Sequence, residues 1–269
     1  MGQRKKAKLS SVQIIALGFF LIILAGTALL MLPMASRAPG GASFSDALFT
    51  ATSASCVTGL VLRDTGSYWT GFGQMVILLL IQTGGLGFMT IATLFQLLLR
   101  RRLGLREREV MVDSVSYTQL GGLVPFIRLI FAGTLLAEGA GALLLAIPFV
   151  RDFGWSRGLY YAVWHSVSAF CNAGFDLMGG ETGAFSSFTA YAGDPLVILP
   201  LCALILVGGA GFLVWDDLAR CGLRWRRYRL QTKVVLAVNL VLVAGGTLVF
   251  FLLGGTMLGR GGPGGGPGM

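Results

Sequence analysis

The chain has few charged residues. Only 12% of its 269 residues are Asp, Glu, Lys or Arg, whereas 55% are hydrophobic and the mean hydropathy is +0.77. A water-soluble domain of this composition would expose large apolar patches, so we expect an integral membrane protein embedded in a lipid bilayer. The sequence also has a single histidine and lacks any cluster of His, Asp, Glu and Ser, which argues against an enzyme.

Cysteine is scarce as well, and its spacing is not that of metal ligands. The four cysteines are Cys56, Cys171, Cys202 and Cys221. Two of them, Cys56 and Cys171, occupy equivalent positions of an internal repeat inside predicted membrane. We therefore expect neither a metal site nor a disulfide, and no cofactor.

Basic residues exceed acidic ones by nine. In a soluble chain this excess would suggest a nucleic-acid partner, but here the basic residues cluster between apolar runs, so membrane topology explains them better and no nucleic acid is expected. Counted on alternating sides, 16 of the 21 Lys and Arg fall on the side of the N-terminus. By the positive-inside rule, the N-terminus is predicted to be cytoplasmic in a multi-pass protein.

Five apolar runs are long enough to cross a bilayer, and together they predict an all-α membrane fold with five transmembrane spans. They cover residues 12–32, 70–99, 123–149, 195–218 and 234–253. Two shorter helices, at 43–54 and 155–168, are too short to span and are predicted to be re-entrant from the outer face. Ser43 or Ser45 is expected to cap the first of them.

The organisation repeats with an offset of 115 residues. At this offset Ser53, Ala54, Cys56 and Gly59 correspond to Ser168, Ala169, Cys171 and Gly174, in that order. Gly26 likewise corresponds to Gly141, and Pro33 to Pro148. This pattern predicts two complete units of helix, re-entrant helix with loop, and helix, followed by the first helix of a third unit. The predicted segments are a basic N-terminus (1–10), two pore units (11–103 and 120–222), that third-unit helix (230–254) and a Gly/Pro tail (255–269).

The loop after each short helix has the chemistry of an ion path. Non-helical backbone at membrane depth is tolerated where it is buried in protein or lines water, and a helix C-terminus attracts a cation. Gly59 and Gly174 permit backbone angles that turn carbonyl groups toward an axis. Neither loop carries a carboxylate, which favours a weakly hydrated monovalent cation bound by backbone oxygens.

Four motifs resemble the membrane subunit of the Trk/Ktr family of potassium transporters. They are ATSASCVTGL at 51–60, QTGGLGFMT at 82–90, HSVSAFCNAGF at 165–175 and GDPL at 193–196. The resemblance implies potassium transport across the inner membrane through two selectivity-filter segments that bind K⁺ by backbone carbonyls. The first filter segment is Val57, Thr58, Gly59 and Leu60; the second is Asn172, Ala173, Gly174 and Phe175.

The resemblance also implies partners. A homodimer of membrane subunits is expected to sit on a cytosolic nucleotide-binding regulatory ring of the RCK type. A basic loop that contains Arg100, Arg101, Arg102 and Arg106 is the candidate docking site, although positive-inside topology by itself explains its charge. Sodium coupling is left open by the sequence.

The family pore takes four units, whereas this sequence contains two and the first helix of a third. We therefore expect a C-terminally truncated subunit, and the alternative is a non-conducting scaffold or assembly partner.

Two further residues, Glu138 and His165, each allow two interpretations. Glu138, in the middle of a span, is either a carboxylate of the cation path or a group that locks helices together. His165 is either a structural hydrogen-bonding residue or a pH sensor.

Overall fold

The structure is a computed structural model that describes residues 10–87, 90, 123–222 and 224–258. These residues form helices joined by loops, and within them the only β-type pairing is an isolated bridge between Ser36 and Trp69. The predicted all-α class is confirmed. The basic loop with Arg100, Arg101, Arg102 and Arg106 lies outside the described residues.

The helices follow one another with short connections. In chain order they are α1 (Ser11–Leu30), α2 (Phe44–Ser55), α3 (Thr65–Tyr68), α4 (Gly71–Leu86), α5 (Leu123–Phe153), α6 (Trp155–Phe170), α7 (Gly179–Thr182), α8 (Pro195–Gly209), α9 (Phe212–Cys221) and α10 (Leu230–Leu258). Short 3₁₀ turns lie at Thr189–Tyr191 and Trp225–Arg227.

Several helices begin where the sequence places a capping side chain. Ser43 Oγ accepts a hydrogen bond from Asp46 N at 3.1 Å, which confirms Ser43 as the cap of α2. Thr70 caps α4, and Asp194 caps α8 with Pro195 in its first turn. Such caps satisfy amide groups that have no partner inside the helix, and proline suits the first turn because it has no amide hydrogen to lose.

Three described helices are long and apolar enough to cross a membrane, namely Val12–Leu30, Pro125–Phe153 and Leu230–Leu252. A fourth candidate exists if α8 and α9 count as one span. Where the sequence predicts one helix over 195–218, the structure has two, because α8 ends at Gly209 and Gly211 adopts a φ of +84° that a right-handed helix does not contain. The second predicted span begins as α4, and its continuation over 91–99 lies outside the described residues.

The chain divides into two compact bodies, Met1–Phe212 and Leu213–Met269. In the first body, α2 packs against α1 and α4, whereas α6 packs against α5, α8 and α4. Its largest fully buried side chains include Trp69, Trp164 and Phe149. Glycines allow the close contacts: a Cβ atom on Gly26 of α1 would meet the side chain of Leu80.

The second body is fixed by two buried carboxylates. Asp216 accepts hydrogen bonds from Arg220 Nε at 2.6 Å and from Arg229 Nη2 at 3.1 Å. Asp217 accepts from Thr232 Oγ1 at 2.6 Å and from the backbone amide of Arg229 at 2.9 Å. These bonds join α9 to the start of α10 and satisfy charges that would be costly to bury alone.

Candidate ion-binding site

Both short helices, α2 and α6, end in the same hydrogen-bond pattern. In the first repeat these bonds are Cys56 N to Thr52 O (2.8 Å), Val57 N to Ala54 O (3.3 Å) and Thr58 N to Ser53 O (3.0 Å). At an offset of 115 residues they are Cys171 N to Val167 O (3.0 Å), Asn172 N to Ala169 O (3.0 Å) and Ala173 N to Ser168 O (2.8 Å). Each helix therefore ends in the same way, with its last carbonyl groups capped by the amides of the following loop.

The backbone of the two predicted filter segments also matches at two equivalent positions. Val57 and Asn172 have φ values of 56° and 57°, and Gly59 and Gly174 have φ values of 73° and 71°. Glycine adopts this left-handed region without penalty, and asparagine tolerates it better than most residues. Valine is β-branched, so Val57 holds its conformation at a cost that the surrounding structure must offset.

The two segments touch each other at their glycines. A Cβ atom placed on Gly59 would lie 2.8 Å from the carbonyl oxygen of Ala173 and 3.1 Å from Gly174 Cα. One placed on Gly174 would lie 3.2 Å from Gly59 Cα. Only hydrogen atoms fit between these backbones, so the two segments, 115 residues apart in sequence, form neighbouring walls of one site.

The carbonyl groups of these segments are mostly left without protein donors. Within the part of the chain that the structure describes, Phe175 O accepts a hydrogen bond from Ser168 Oγ at 2.6 Å, and the other seven carbonyl oxygens accept none. In the first segment the equivalent serine, Ser53, instead bonds to the hydroxyl group of Thr58 at 2.8 Å. Seven backbone oxygens are therefore free to contact an ion or water, and the eighth is turned toward its own helix.

A cavity of about 260 Å³ opens beside the second filter segment. It is lined by Asn172, Gly174 and Phe175 and by the carboxylate-bearing Asp176. Asp176 accepts hydrogen bonds from Met178 N at 2.9 Å and from Ser187 Oγ at 3.1 Å, and burial raises its pKa above the usual value for aspartate. Sequence reasoning missed Asp176, although its place directly after the second segment was a signal.

His165 links α6 to the chain beyond the second filter segment. Its Nδ1 lies 2.8 Å from Tyr161 O, and its Nε2 accepts a hydrogen bond from Leu177 N at 3.0 Å. Because Nε2 is an acceptor, Nδ1 carries the proton and donates to Tyr161 O. The structural hydrogen bond expected for His165 is therefore present.

Helix α4 holds the second short helix through two glutamines that lie two turns apart. The side-chain amide of Gln74 donates to Trp69 O at 3.1 Å, and its Oε1 accepts from Tyr160 OH at 3.0 Å. The backbone oxygen of Gln74 accepts from Trp164 Nε1 at 3.2 Å. Gln82 Oε1 lies 3.6 Å from the thiol of Cys171. Gly84 and Gly85 of α4 lie against Ser55 and Cys171, so α4 borders the ends of both short helices.

The comparison with known families identifies the kind of protein that carries this site. The sequence profile of the TrkH family, described as "Cation transport protein", matches residues 9–258. The chain belongs to this family. The resemblance drawn from the four motifs is thereby confirmed.

Curated relatives share much of the sequence. Potassium/sodium uptake protein NtpJ of Enterococcus hirae is 39% identical over 252 residues, which cover 94% of this chain and 54% of that protein. Ktr system potassium uptake protein B of Bacillus subtilis is 42% identical over 90% of this chain and 52% of its own length, and that of Vibrio alginolyticus is 37% identical over 94% and 54%. The chain spans about half the length of the curated relatives it matches.

Proposed function

We propose that this chain supplies two filter segments of a potassium pathway in a Trk/Ktr-type uptake system. One observation carries the proposal: two loops with matching positive φ values meet at Gly59 and Gly174, and seven of their carbonyl oxygens have no donor among the described residues. Carbonyl oxygens in that arrangement can replace the hydration shell of an alkali ion. Three curated relatives are named as potassium or potassium/sodium uptake proteins.

Electrostatics favours a cation at this site. The C-terminal ends of α2 and α6 both lead into the filter segments, and a helix carries partial negative charge at its C-terminus. The segments themselves contain no carboxylate, so the field is that of dipoles, which suits a monovalent ion better than Ca²⁺ or Mg²⁺. Potassium would enter the cell down its electrochemical gradient, and sodium is the competing ion to test.

The proposal includes a cellular setting and partners. The protein lies in the inner membrane with its N-terminus in the cytoplasm, as the distribution of basic residues favours. It forms a homodimer on a cytosolic nucleotide-binding ring that docks on the loop with Arg100, Arg101, Arg102 and Arg106.

Changing Arg100, Arg101 and Arg102 to Gln should weaken co-purification with a ring subunit of the family without changing ion preference. A changed ion preference would contradict the assigned topology.

Ion binding by the full chain in lipid nanodiscs tests the proposal directly. At equal ionic strength, K⁺ should raise the melting temperature more than Na⁺, because an ion that binds only the folded state stabilises it. Gly174→Asp should remove this difference, since its side chain would enter the ion path. Gly71→Asp is the matched control, because Gly71 begins α4 with no atom near its Cβ position.

Equal stabilisation by both ions, or a K⁺ preference that survives Gly174→Asp, would refute the assignment. Growth of a bacterium that lacks potassium transport, expressing the chain with and without a family ring subunit, then separates two functions. Restored growth supports conduction. Binding of K⁺ without restored growth would replace conduction with the alternative, a scaffold or assembly partner that retains a filter.

A further inference from the structure

The loop that follows the second filter segment is longer than its counterpart in the first repeat. The two filter segments lie 115 residues apart, but the helices that follow them, α4 and α8, begin 124 residues apart, at Gly71 and Pro195. The second repeat therefore has nine additional residues between α7 and α8. An insertion in one copy of a repeated unit forms a loop, and such loops often lie on a functional face.

Two residues of this loop hold a strained backbone. Phe185 and Ser187 have φ values of 60° and 52°, in the left-handed region that residues with a Cβ atom avoid. Such conformations persist only where the surrounding structure fixes them. Burial does not fix Phe185, because its side chain is 61% exposed. The hydrogen bonds made by the loop are therefore the contacts that hold it.

The first of these bonds joins the loop to the first repeat. Asp64 Oδ2 accepts a hydrogen bond from Phe185 N at 2.8 Å, although the two residues lie 121 positions apart. Asp64 Oδ1 accepts from the amide and from the hydroxyl group of Ser67, both at 2.7 Å, so Asp64 also caps α3. Asp64 is only 7% exposed. One buried carboxylate thus joins the start of α3 to the loop of the other repeat.

The carboxylate of Asp64 fits this place because Gly179 leaves room for it. A Cβ atom on Gly179 would overlap with Asp64 Oδ2. At the offset of 115 residues Gly179 is the counterpart of Asp64 itself, so the two repeats meet here at equivalent positions. A Cβ atom on Gly66 would likewise overlap with the backbone oxygen of Leu177. The chain around α3 is therefore packed directly against the backbone that leaves the second filter segment.

The far end of the loop forms a wall of the cavity beside the second filter segment. Ser187 and Phe188 line this cavity together with residues of that segment. Ser187 Oγ donates to Asp176 Oδ2 at 3.1 Å, and the centre of the Phe188 ring lies 4.9 Å from that of His165. The position of the loop therefore decides how open the cavity is.

We propose that residues 183–188 form a strap that closes the outer side of this cavity, and that Asp64 of the first repeat is the positioning residue that holds the strap in place. Opening of the strap would admit water and ions from outside to the second filter segment. This inference rests on the proposed function, because it treats the cavity as part of the ion path and the loop as external. The first repeat, nine residues shorter at this place, has no equivalent loop among residues 60–71.

Digestion with chymotrypsin tests whether Asp64 holds the strap. Chymotrypsin cleaves after phenylalanine, and cleavage after Phe185 in the full chain in lipid nanodiscs requires the strap to open locally. Mass spectrometry should show slow cleavage in the parent chain. Asp64→Ser keeps a hydroxyl group that can cap α3 but has no second oxygen to reach Phe185 N. Cleavage should then be at least about tenfold faster, because loss of a buried hydrogen bond to a charged group favours opening by that factor or more.

Two further variants complete the digestion test. Asp46→Ser is the matched control, because Asp46 is another buried carboxylate of the first repeat and pairs with Arg63 instead of the strap. Cleavage should stay slow in this variant. Ser187→Ala removes the bond to Asp176 at an exposed position and should speed cleavage about threefold. Unchanged cleavage in Asp64→Ser or Ser187→Ala, or equal acceleration in Asp46→Ser, would overturn the proposal.

Thiol labelling tests whether the strap covers the cavity. Leu201 lines the cavity from α8 and is 9% exposed. In the full chain with the three cysteines other than Cys171 changed to Ser, a water-soluble methanethiosulfonate should label Leu201→Cys slowly. Adding Asp64→Ser should speed this labelling about tenfold, and the same chain without Leu201→Cys gives the blank for the buried Cys171. Faster cleavage without faster labelling would overturn the strap as the cover of the cavity.

Ion preference separates the strap from the filter itself. Asp64→Ser leaves the filter carbonyl groups in place, so the difference between K⁺ and Na⁺ in melting temperature should persist. Loss of this difference would show that Asp64 acts on the filter, and it would overturn the role proposed here. If the parent chain itself shows no K⁺ preference, the proposed function fails, while cleavage and labelling still decide whether Asp64 holds a strap over the cavity.

Discussion

The two predicted filter segments have nearly the same φ values at two equivalent positions but different surroundings. Leu60, at the end of the first segment, is 62% exposed, whereas its counterpart Phe175 is 3% exposed. The difference follows from the number of neighbours: α2 packs against α1 and α4, while α6 packs against α5, α8 and α4. The repeated sequence therefore places a similar loop after each short helix, and tertiary packing decides how deeply each loop is buried.

The glycines at the contact between the segments should show the largest effects. Gly59→Ala places a methyl group 2.8 Å from Ala173 O at a φ of 73°, and we expect a loss of about 2 to 4 kcal/mol in stability, the sum of strain and overpacking. Gly174→Ala meets its nearest atom at 3.2 Å and should lose less, about 1 to 2 kcal/mol. Unfolding in detergent measures both.

The control for this pair is Gly139→Ala, at an α5 position with an ordinary helical φ and no atom near the new methyl group. Alanine is the better helix former, so stability should stay equal or rise slightly. Both filter variants should also lose the K⁺-specific rise in melting temperature. Equal losses at Gly59 and Gly174 would show that the contact is looser than the distances indicate.

Replacing the equivalent serines of the two short helices, Ser168 and Ser53, should give the next largest difference in stability. Ser168→Ala leaves the buried carbonyl group of Phe175 without its donor, which should cost about 1 to 3 kcal/mol. Ser53→Ala removes the hydrogen-bond partner of the Thr58 hydroxyl group. Thr58 is exposed, so water can replace that partner, and the substitution should cost about 1 kcal/mol or less. Thermal unfolding compares the two, and a larger effect at Ser53 would contradict the assigned environments.

Exchanging the residues at the left-handed positions should give effects of opposite sign. Val57→Asn should stabilise the chain by about 0.5 to 1 kcal/mol, because asparagine tolerates a φ of 56° better than a β-branched residue. Asn172→Val should destabilise it by about 1 to 2 kcal/mol. Unfolding in detergent measures both changes, and changes of the same sign would mean that side-chain contacts outweigh backbone strain.

The smallest effect is expected at the outer ends of the short helices. Asp46 of α2 pairs with Arg63 at 3.2 Å, while the equivalent residue of α6, Tyr161, donates to Glu181 at 2.9 Å. Arg63 is half exposed, so Arg63→Gln should cost about 0.5 kcal/mol or less, and the cost should vanish at high salt. Tyr161→Phe serves as the comparison, because its loss should not depend on salt. Melting temperatures at low and high salt check both.

Much of the fold was predictable because its signals are local. Hydropathy located the long helices α1, α5 and α10, and a capping serine located the start of α2. The break at Gly211 was missed, since an apolar run that continues through a glycine has the hydropathy of one span. The site was predictable as two segments of residues, and Asp176 follows the second of them directly. The contact of Asp176 with Ser187 and the cavity beside it were not predictable, because no pattern in the sequence places those two residues together.

The sequence by itself determined the membrane class, the family and the positions of the two predicted filter segments, since hydropathy and short motifs depend only on adjacent residues. Only the tertiary structure decided that Gly59 meets Gly174, that the Phe175 carbonyl turns to Ser168, and that Gln82 contacts Cys171. Gln82 and Cys171 lie 89 residues apart, and their contact depends on how α4 packs against α5 and α6. Packing is a property of several surfaces at once, so no single stretch of sequence specifies it.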